Sequence, residues 1–432
     1  MLYFSTNNQS SPVDFKEATI QGQAPDKGLY FPSSIPRVDG RMIKNMEDYS
    51  NDAIAFDVIK PYVGDSIPGN ILKNIVEETI SFSMPLVPIT DSIYSLELFH
   101  GPTLAFKDVG ARFMSRCLGY FVKEQPKKVT VLVATSGDTG GAVANGFYDV
   151  PNVEVIILYP SGKVSTVQEK QLTTLGKNIH ALEVNGSFDD CQQMVKDVFA
   201  DAASFKNLLL TSANSINVAR WLPQQFYYFF AYKQWPDKNN PPVISVPSGN
   251  FGNICAGILA KASGLPVQHF IAACNANDTV PEFLRSNHYQ AKKAVNTISN
   301  AMDVGNPSNF VRILQIFEQQ LANLKQEVSA YSVNDDKTKA TLRKVYKEFN
   351  YLLDPHGAVG FHALEDYLKQ HPSQKGIVVE TAHPVKFFDV VEPIINEPVP
   401  IPTAIEQQLK LAKKSTVMEN NSEALKEFLL KI

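Results

Sequence analysis

The stretch "VTVLVATSGDTGGAVANGFYD", Val129 to Asp149, decides how this chain folds. It opens with a short β-branched apolar run, breaks at a glycine-rich polar loop, and continues as a helical pattern. The run does not alternate polar and apolar residues, so it predicts a strand covered on both faces. The unit recurs. "VEVIILY" (153–159) runs into "PSGKVSTVQEKQLTTLG", and "IHALEV" (179–184) into "NGSFDDCQQMVKDVFADA". "NLLLTS" (207–212) runs into "ANSINVARWLPQQFYYFFAYKQW", and "PVISVP" (242–247) into "SGNFGNICAGILAKASG". "VQHFIAAC" (267–274) and "GIVVET" (376–381) read as further strands. Strands alternating with helices predict an α/β fold, built on a parallel sheet with helices on both faces. In such sheets ligands sit beyond the carboxyl ends of the strands, where the loops enter helices.

Outside this region the pattern is less regular. Residues 1–90 are mixed and turn-rich, as in "QAPDKGLYFPSSIP". About 318–350 reads as a charged helical region. The proline-rich "EPIINEPVPIPTAI" (392–405) reads as a linker, followed by one or two peripheral helices. Ser187 and Asp190 form an acidic version of the capping box.

The bulk numbers exclude several functions. The 432 residues include 44% hydrophobic and 19% charged side chains, with a net charge of -4. That length supports two or three domains with a sizeable core. No basic block marks a nucleic-acid surface, and no apolar run is long enough to span a membrane. Cys117, Cys191, Cys255 and Cys274 are scattered, without a CxxC pair, which argues against a zinc site or a disulfide framework. The opening residues lack a basic region followed by an apolar one, so no signal peptide is expected. A cytoplasmic setting follows as an expectation.

Three strand-end loops have the composition of anion cradles. In "SGNFGN", Ser248 to Asn253, glycines at 249 and 252 let backbone N–H groups approach a phosphate at a helix start. A tight strand-to-helix turn would also need those glycines. In "TSGDTGG", Thr135, Ser136 and Thr139 add hydroxyls to backbone donors around Gly137 and Asp138, which suits a carboxylate or phosphate. Simple helix capping by Asp138 or Thr139 is the other reading. In "NSINVAR", Asn214, Ser215 and Asn217 precede Arg220, which serves either an anion or a surface ion pair. Neither GxGxxG nor GxxxxGK[ST] occurs, so the common nucleotide fingerprints are missing. His356 and His383 lack the spacing of a zinc motif, and no metal is expected.

Lys107, in "FHGPTLAFKDVGARF", lies at a helix entry among apolar residues. Val109, Phe113, Cys117 and Phe121 recur every four residues behind it. Burial disfavours an ammonium, and a neutral amine attacks aldehydes to form Schiff bases. A lysine that reaches out to solvent is the plain alternative. A reactive amine beside a phosphate cradle fits a phosphorylated aldehyde, and pyridoxal phosphate is such a molecule.

Taken together, these motifs resemble the threonine synthase family of pyridoxal-phosphate enzymes, in the tryptophan-synthase-β structural class. The likeness runs over nearly the whole chain, including the opening "YFSTNNQSSPVDFKEATIQGQAPDKGLYFP". It implies fold type II: two open parallel-sheet α/β domains behind a family-specific N-terminal region. The corresponding division is 1–90, 91–240, 241–391 and a 392–432 tail, with approximate boundaries and the chain free to cross between domains.

The resemblance also assigns roles. Lys107 is the cofactor-bonding lysine and, once freed, the proton carrier at Cα and Cβ. Ser248, Gly249, Asn250, Phe251, Gly252 and Asn253 hold the cofactor phosphate, and Thr381 in "TAHPVKF" faces the pyridine nitrogen. Thr135, Ser136, Gly137, Asp138 and Thr139 hold the substrate carboxylate. Asn214, Ser215 and Arg220 hold the substrate's own phosphate.

The implied substrate is O-phospho-L-homoserine, converted with water to L-threonine and phosphate in the last step of threonine biosynthesis. The protein would be a monomer or homodimer. Rivals are a threonine dehydratase, a cysteine synthase, a related phospho-lyase, and a non-catalytic sensor of phosphorylated metabolites. One departure stands out. Many members are expected to carry "DPHT" where this chain has "DPHG", with Gly357, so no role is carried to that position. The tail beyond Asp389 resembles the family only weakly.

Overall fold

The computed structural model describes all residues except 124, 202, 203, 206, 207 and 432. Asn207 of the predicted strand "NLLLTS" and Ala202 of the helical reading after Ser187 therefore lie outside the described residues. The strands are β1 Tyr3–Ser5, β2 Tyr30–Pro32, β3 Leu86–Pro88, β4 Ile93–Glu97, β5 Val129–Ala134, β6 Val153–Pro160 and β7 Ile179–Asn185. They continue with β8 Leu209–Ser212, β9 Val243–Pro247, β10 His269–Cys274, β11 Val328–Ser332, β12 Gly376–Glu380 and β13 Thr416–Glu419.

They form a small antiparallel pair, β1–β2, and two larger sheets. One has the order β11-β10-β9-β12-β4-β3, the other β13-β7-β6-β5-β8. Every ladder in the five-stranded sheet is parallel. The six-stranded sheet is parallel except at its β3 edge, where β3 pairs antiparallel to β4. The continuous apolar strands behave as their composition requires: β5, β9 and β12 are buried at every position. Each fully buried Val, Ile or Leu there contributes about 1.5–3 kcal/mol.

Strand membership cuts across the linear division expected from the sequence. β3 and β4 lie just before the Lys107 helix, yet they join the six-stranded sheet through the β12–β4 ladder. β13, from the tail, joins the five-stranded sheet through β7. So 91–240 and 392–432 are not independent units, because hydrogen bonds to distant strands recruit their short apolar runs. The 318–350 region is not wholly helical: β11 sits between the helices Leu321–Glu327 and Asp335–Phe349. The 392–405 stretch is not a free linker either. Helix Phe388–Ile395 enters it, and Val399 and Ile405 bury against Val167, Val385 and Val391.

The first 80 residues fold over the Lys107–Val122 helix. Phe15 packs on Phe113 and Phe121. The aromatic stretch 221–232 is core throughout. The Ser187–Asp190 capping box forms with both bonds present.

Candidate active site

The carboxyl ends of the two sheets face each other, and the predicted loops meet there. Neighbouring strands β9, β12 and β4 deliver "SGNFGN", Thr381 and the loop to Lys107; neighbouring β5 and β8 deliver "TSGDTGG" and "NSINVAR".

The Lys107 loop is held from both ends. Asp108 accepts from the Thr103 N–H at 2.9 Å and from the Thr103 hydroxyl at 2.5 Å, closing the turn. The Phe106 N–H donates to the Thr381 carbonyl at 2.9 Å, and an isolated bridge joins Ala105 to Ala382. This register fixes Thr381 beside the start of the Lys107–Val122 helix. Lys107 is partly buried, with its Nζ 5.7 Å from the Phe106 ring centroid. Burial pulls its amine from 10.5 down to about 8. Asp138 opposes the shift, while Lys386 and Arg220 add to it. At pH 7 that leaves about a tenth of the amine neutral, roughly three hundred times the fraction of an ordinary lysine, which favours imine formation.

Asp138 is a buried hub. Its Oδ1 lies 2.9 Å from Lys386 Nζ and accepts from Gln168 Nε2 at 2.9 Å. Burial opposes its charge, yet Lys386 and Lys107 together hold the carboxyl below the ordinary carboxylate range. Lys386 is wholly buried and donates its other bond to the Thr103 carbonyl at 2.7 Å; Gln171 donates to the same carbonyl at 3.0 Å. This latch ties the five-stranded sheet to the Lys107 loop. Sequence reading passed over Lys386, although "TAHPVKF" was in view. A lone lysine carries no signal until the fold buries it against a carboxylate. Neither Asp138 nor Thr139 caps the helix: Gly137 takes the N-cap position, and Thr135 Oγ1 accepts from the N–H groups of Gly137 (3.0 Å) and Gly140 (2.8 Å).

In "SGNFGN" the helix Gly252–Ala262 begins after Phe251, which takes the left-handed conformation at φ 61°. The Ser248 hydroxyl donates to the Val246 carbonyl and Asn253 Nδ2 to the Pro247 carbonyl, so these side chains brace the loop itself. Asn250 Nδ2 donates to Ser215 Oγ at 2.8 Å, linking this loop to "NSINVAR". Asn309 Nδ2 donates to the same oxygen at 3.0 Å, and the Ser308 N–H donates to Asn250 Oδ1 at 2.6 Å. Gly249 is packed so closely that a Cβ there would stand 2.7 Å from Met302 Cα.

Arg220 is buried, with Nη1 donating to the Ala213 carbonyl. Its Nε and the Asn214 Oδ1 are buried without a partner among the described residues. Burial pulls the guanidinium down to about 10, with Asp108 opposing. Arg312, absent from the sequence reading, is fully buried. It donates to the carbonyls of Tyr30, Ser215 and Ile216, tying the N-terminal region to the same loop.

A partly buried amine nucleophile, a glycine-containing loop at a helix start and a buried guanidinium nitrogen left without a partner among the described residues fit a phosphorylated aldehyde cofactor. Comparison with known proteins defines the class: residues 88–381 match the model described as "Pyridoxal-phosphate dependent enzyme". Residues 2–80 match "Threonine synthase N terminus", and 357–429 match "Threonine synthase, C-terminal". A threonine synthase of Serratia marcescens is 43% identical over 431 residues, covering 100% of this chain and 99% of its own. The crystal structure of threonine synthase from Escherichia coli matches at TM-score 0.93 and 41% identity, covering 100% of both chains. A structure described as PLP-bound threonine synthase from Brucella melitensis matches at TM-score 0.92 and 35% identity, covering 99% of this chain and 98% of its own. The chain belongs to the threonine synthase family and is a pyridoxal-phosphate-dependent enzyme. The tail beyond Asp389, whose likeness to the family is weak, lies largely within the family's C-terminal model. Among the described residues no helix is long and apolar enough to cross a membrane.

Proposed function

We propose that the substrate is O-phospho-L-homoserine, converted with water to L-threonine and phosphate, and that the sequence-predicted residues act as follows. The observation that carries this is that three anion-capable loops are linked around Lys107: Asp138 and Arg220 act on its amine, and Asn250 ties the third loop to Ser215. A cofactor phosphate, a substrate phosphate and a substrate carboxylate need three holders.

Lys107 is the residue that would hold the cofactor at its aldehyde carbon and give up that place to the substrate's amine. The freed amine then takes a proton at Cα and transfers protons at Cβ. Bound cofactor supplies an electron sink for the carbanion at Cα. The "SGNFGN" backbone N–H groups hold the cofactor phosphate at the start of the Gly252–Ala262 helix. Thr381 presents a hydroxyl to the pyridine nitrogen; an uncharged partner leaves that nitrogen less protonated than a carboxylate would. Thr135, Ser136 and the neighbouring backbone hold the substrate carboxylate. Arg220 and Asn214 hold the substrate phosphate and keep it in place as it leaves Cγ. Ser215, committed to Asn250 and Asn309, aligns this pocket with the cofactor loop. Asp138 keeps the cleft's cations balanced and fixes Lys386.

The test is incubation with O-phosphohomoserine, following phosphate and threonine together. Equimolar release is expected, with Lys107→Ala losing turnover while remaining folded. Phosphate without threonine would identify a phospho-lyase, ketoacid from threonine a dehydratase, and binding without release a sensor. Each of these overturns the reading.

A further inference from the structure

Behind the cleft lies a group of buried acids that the reaction does not use. Glu380 ends β12, one residue before Thr381, and is fully buried. Its Oε1 accepts from the Asp354 N–H at 3.3 Å; its Oε2 is buried without a partner among the described residues. The Asp354 and Glu380 side chains are fully buried neighbours, since the Asp354 N–H itself bonds the glutamate. The Asp354 carboxylate also caps the Pro355–Gln370 helix, accepting from the N–H groups of His356 at 2.7 Å and Gly357 at 3.4 Å. His356 Nδ1 pairs with Asp354 Oδ1, while its Nε2 accepts from the Ala301 N–H at 3.2 Å. An imidazole that accepts at Nε2 carries its proton on Nδ1. His356 therefore donates to Asp354, and Asp354 is the acceptor of the whole group.

Two carboxyl groups buried side by side do not both ionise. The other acid facing Glu380 is Glu97 on β4; Tyr351 donates to Glu97 Oε1 at 2.8 Å. Burial, with Asp354 beside it, holds the Glu380 carboxyl well above the ordinary range. Oε2 receives no donor among the described residues, which leaves it free to carry a proton itself.

The far end of the chain of contacts reaches the cofactor loop. Ala301, held by His356, and Met302 form the turn against which Gly249 packs. A Cβ at 249 would meet Met302 Cα at 2.7 Å and the Ala301 oxygen at 3.1 Å. The near end explains the "DPHG" departure: a Cβ at 357 would stand 1.8 Å from Glu380 Oε1 and 2.3 Å from its Cδ. The glutamate fills the space that a side chain at 357 would take.

We propose that Glu380 is a positioning residue. As a neutral carboxylic acid it donates to Asp354, which fixes His356 in the tautomer that holds the Ala301–Met302 turn against Gly249. Glu380 and Gly357 are a size-coupled pair in this arrangement. The last link rests on the reading of residues 248–253 as the cofactor's phosphate loop.

The test uses holoenzyme and the variants Glu380→Gln, Glu380→Ala, Gly357→Ser and the double variant Gly357→Ser/Glu380→Ala. Infrared difference spectroscopy at neutral pH should show a protonated carboxyl band in wild type that is missing in Glu380→Gln. Nitrogen NMR should place the His356 proton on Nδ1. Glu380→Gln, which keeps a donor toward Asp354, should hold cofactor affinity within about twofold of wild type. Glu380→Ala should weaken it about tenfold, the scale of one hydrogen bond to a charged acceptor, and should shift the phosphorus resonance of the bound cofactor. Gly357→Ser should fold poorly alone and recover in the double variant. Should Glu380→Ala itself not fold, the infrared band and the Glu380→Gln affinity still decide. A missing carboxyl band, or an unmoved phosphorus resonance in Glu380→Ala, overturns the proposal. Separately, cofactor affinity unchanged in Gly249→Ala would sink the phosphate-loop reading and leave the Glu380–Asp354–His356 link standing.

Discussion

Replacing Lys107 with methionine in cofactor-free protein should make the fold more stable near neutral pH, and the gain should disappear in alkali. The folded amine sits at about 8 against an ordinary value of 10.5. Between these values the unfolded chain binds more protons than the folded one, so wild-type stability rises with pH across that window. Below about pH 8 the folded state carries the full cost of a charged, desolvated amine. Linkage gives about 3 kcal/mol at pH 7 and about 1 kcal/mol at pH 10. Methionine keeps the length and apolar stem but does not titrate. The difference in unfolding free energy between variant and wild type, measured in urea at both pH values, should therefore narrow by about 2.5 kcal/mol from pH 7 to pH 10. All other titrating groups are shared and largely cancel in that difference. A gap that stays constant across the range refutes the claim that burial keeps Lys107 partly neutral.

Breaking the buried latch by Lys386→Met or Asp138→Asn should each destabilise the apoprotein by about 3–5 kcal/mol in denaturant titrations. The double variant should cost well under their sum, because each partner is harmful mainly when left alone. Arg220→Gln should raise KM for O-phosphohomoserine about 10- to 100-fold, the scale of a lost charge-assisted hydrogen bond, with a smaller effect on cofactor affinity; steady-state kinetics and spectroscopic titration separate the two. Gly249→Ala forces a Cβ to within 2.7 Å of Met302 Cα. It should cost about 1–3 kcal/mol of cofactor binding through a displaced turn, read from the dissociation constant.

The parallel sheets were legible because apolar runs buried on both faces leave a continuous pattern, as in β5 and β9. Short strands left none. β3, β4 and β11 are too brief or too mixed to stand out from their neighbours, and their partners lie far away in the chain. β4 pairs with β12 across nearly three hundred residues of sequence, a contact that no local window records.

The site divides in the same way. Residue type and position at strand ends marked Lys107, "TSGDTGG", "SGNFGN" and "NSINVAR" as candidates, each beside a plainer structural reading. Lys386, Arg312 and Glu380 carried no local sign. A lysine, an arginine or a glutamate in sequence reads as a solvated surface group. Only the tertiary structure removes water from it and sets it against Asp138, a ring of carbonyls, or Asp354. The sequence alone determined the strand–loop–helix alternation, the composition of the strand-end loops and a lysine at a helix entry. Which loops face one another, which charges are buried together, and why position 357 is glycine were decided by folding, because those depend on distances between residues far apart in the chain.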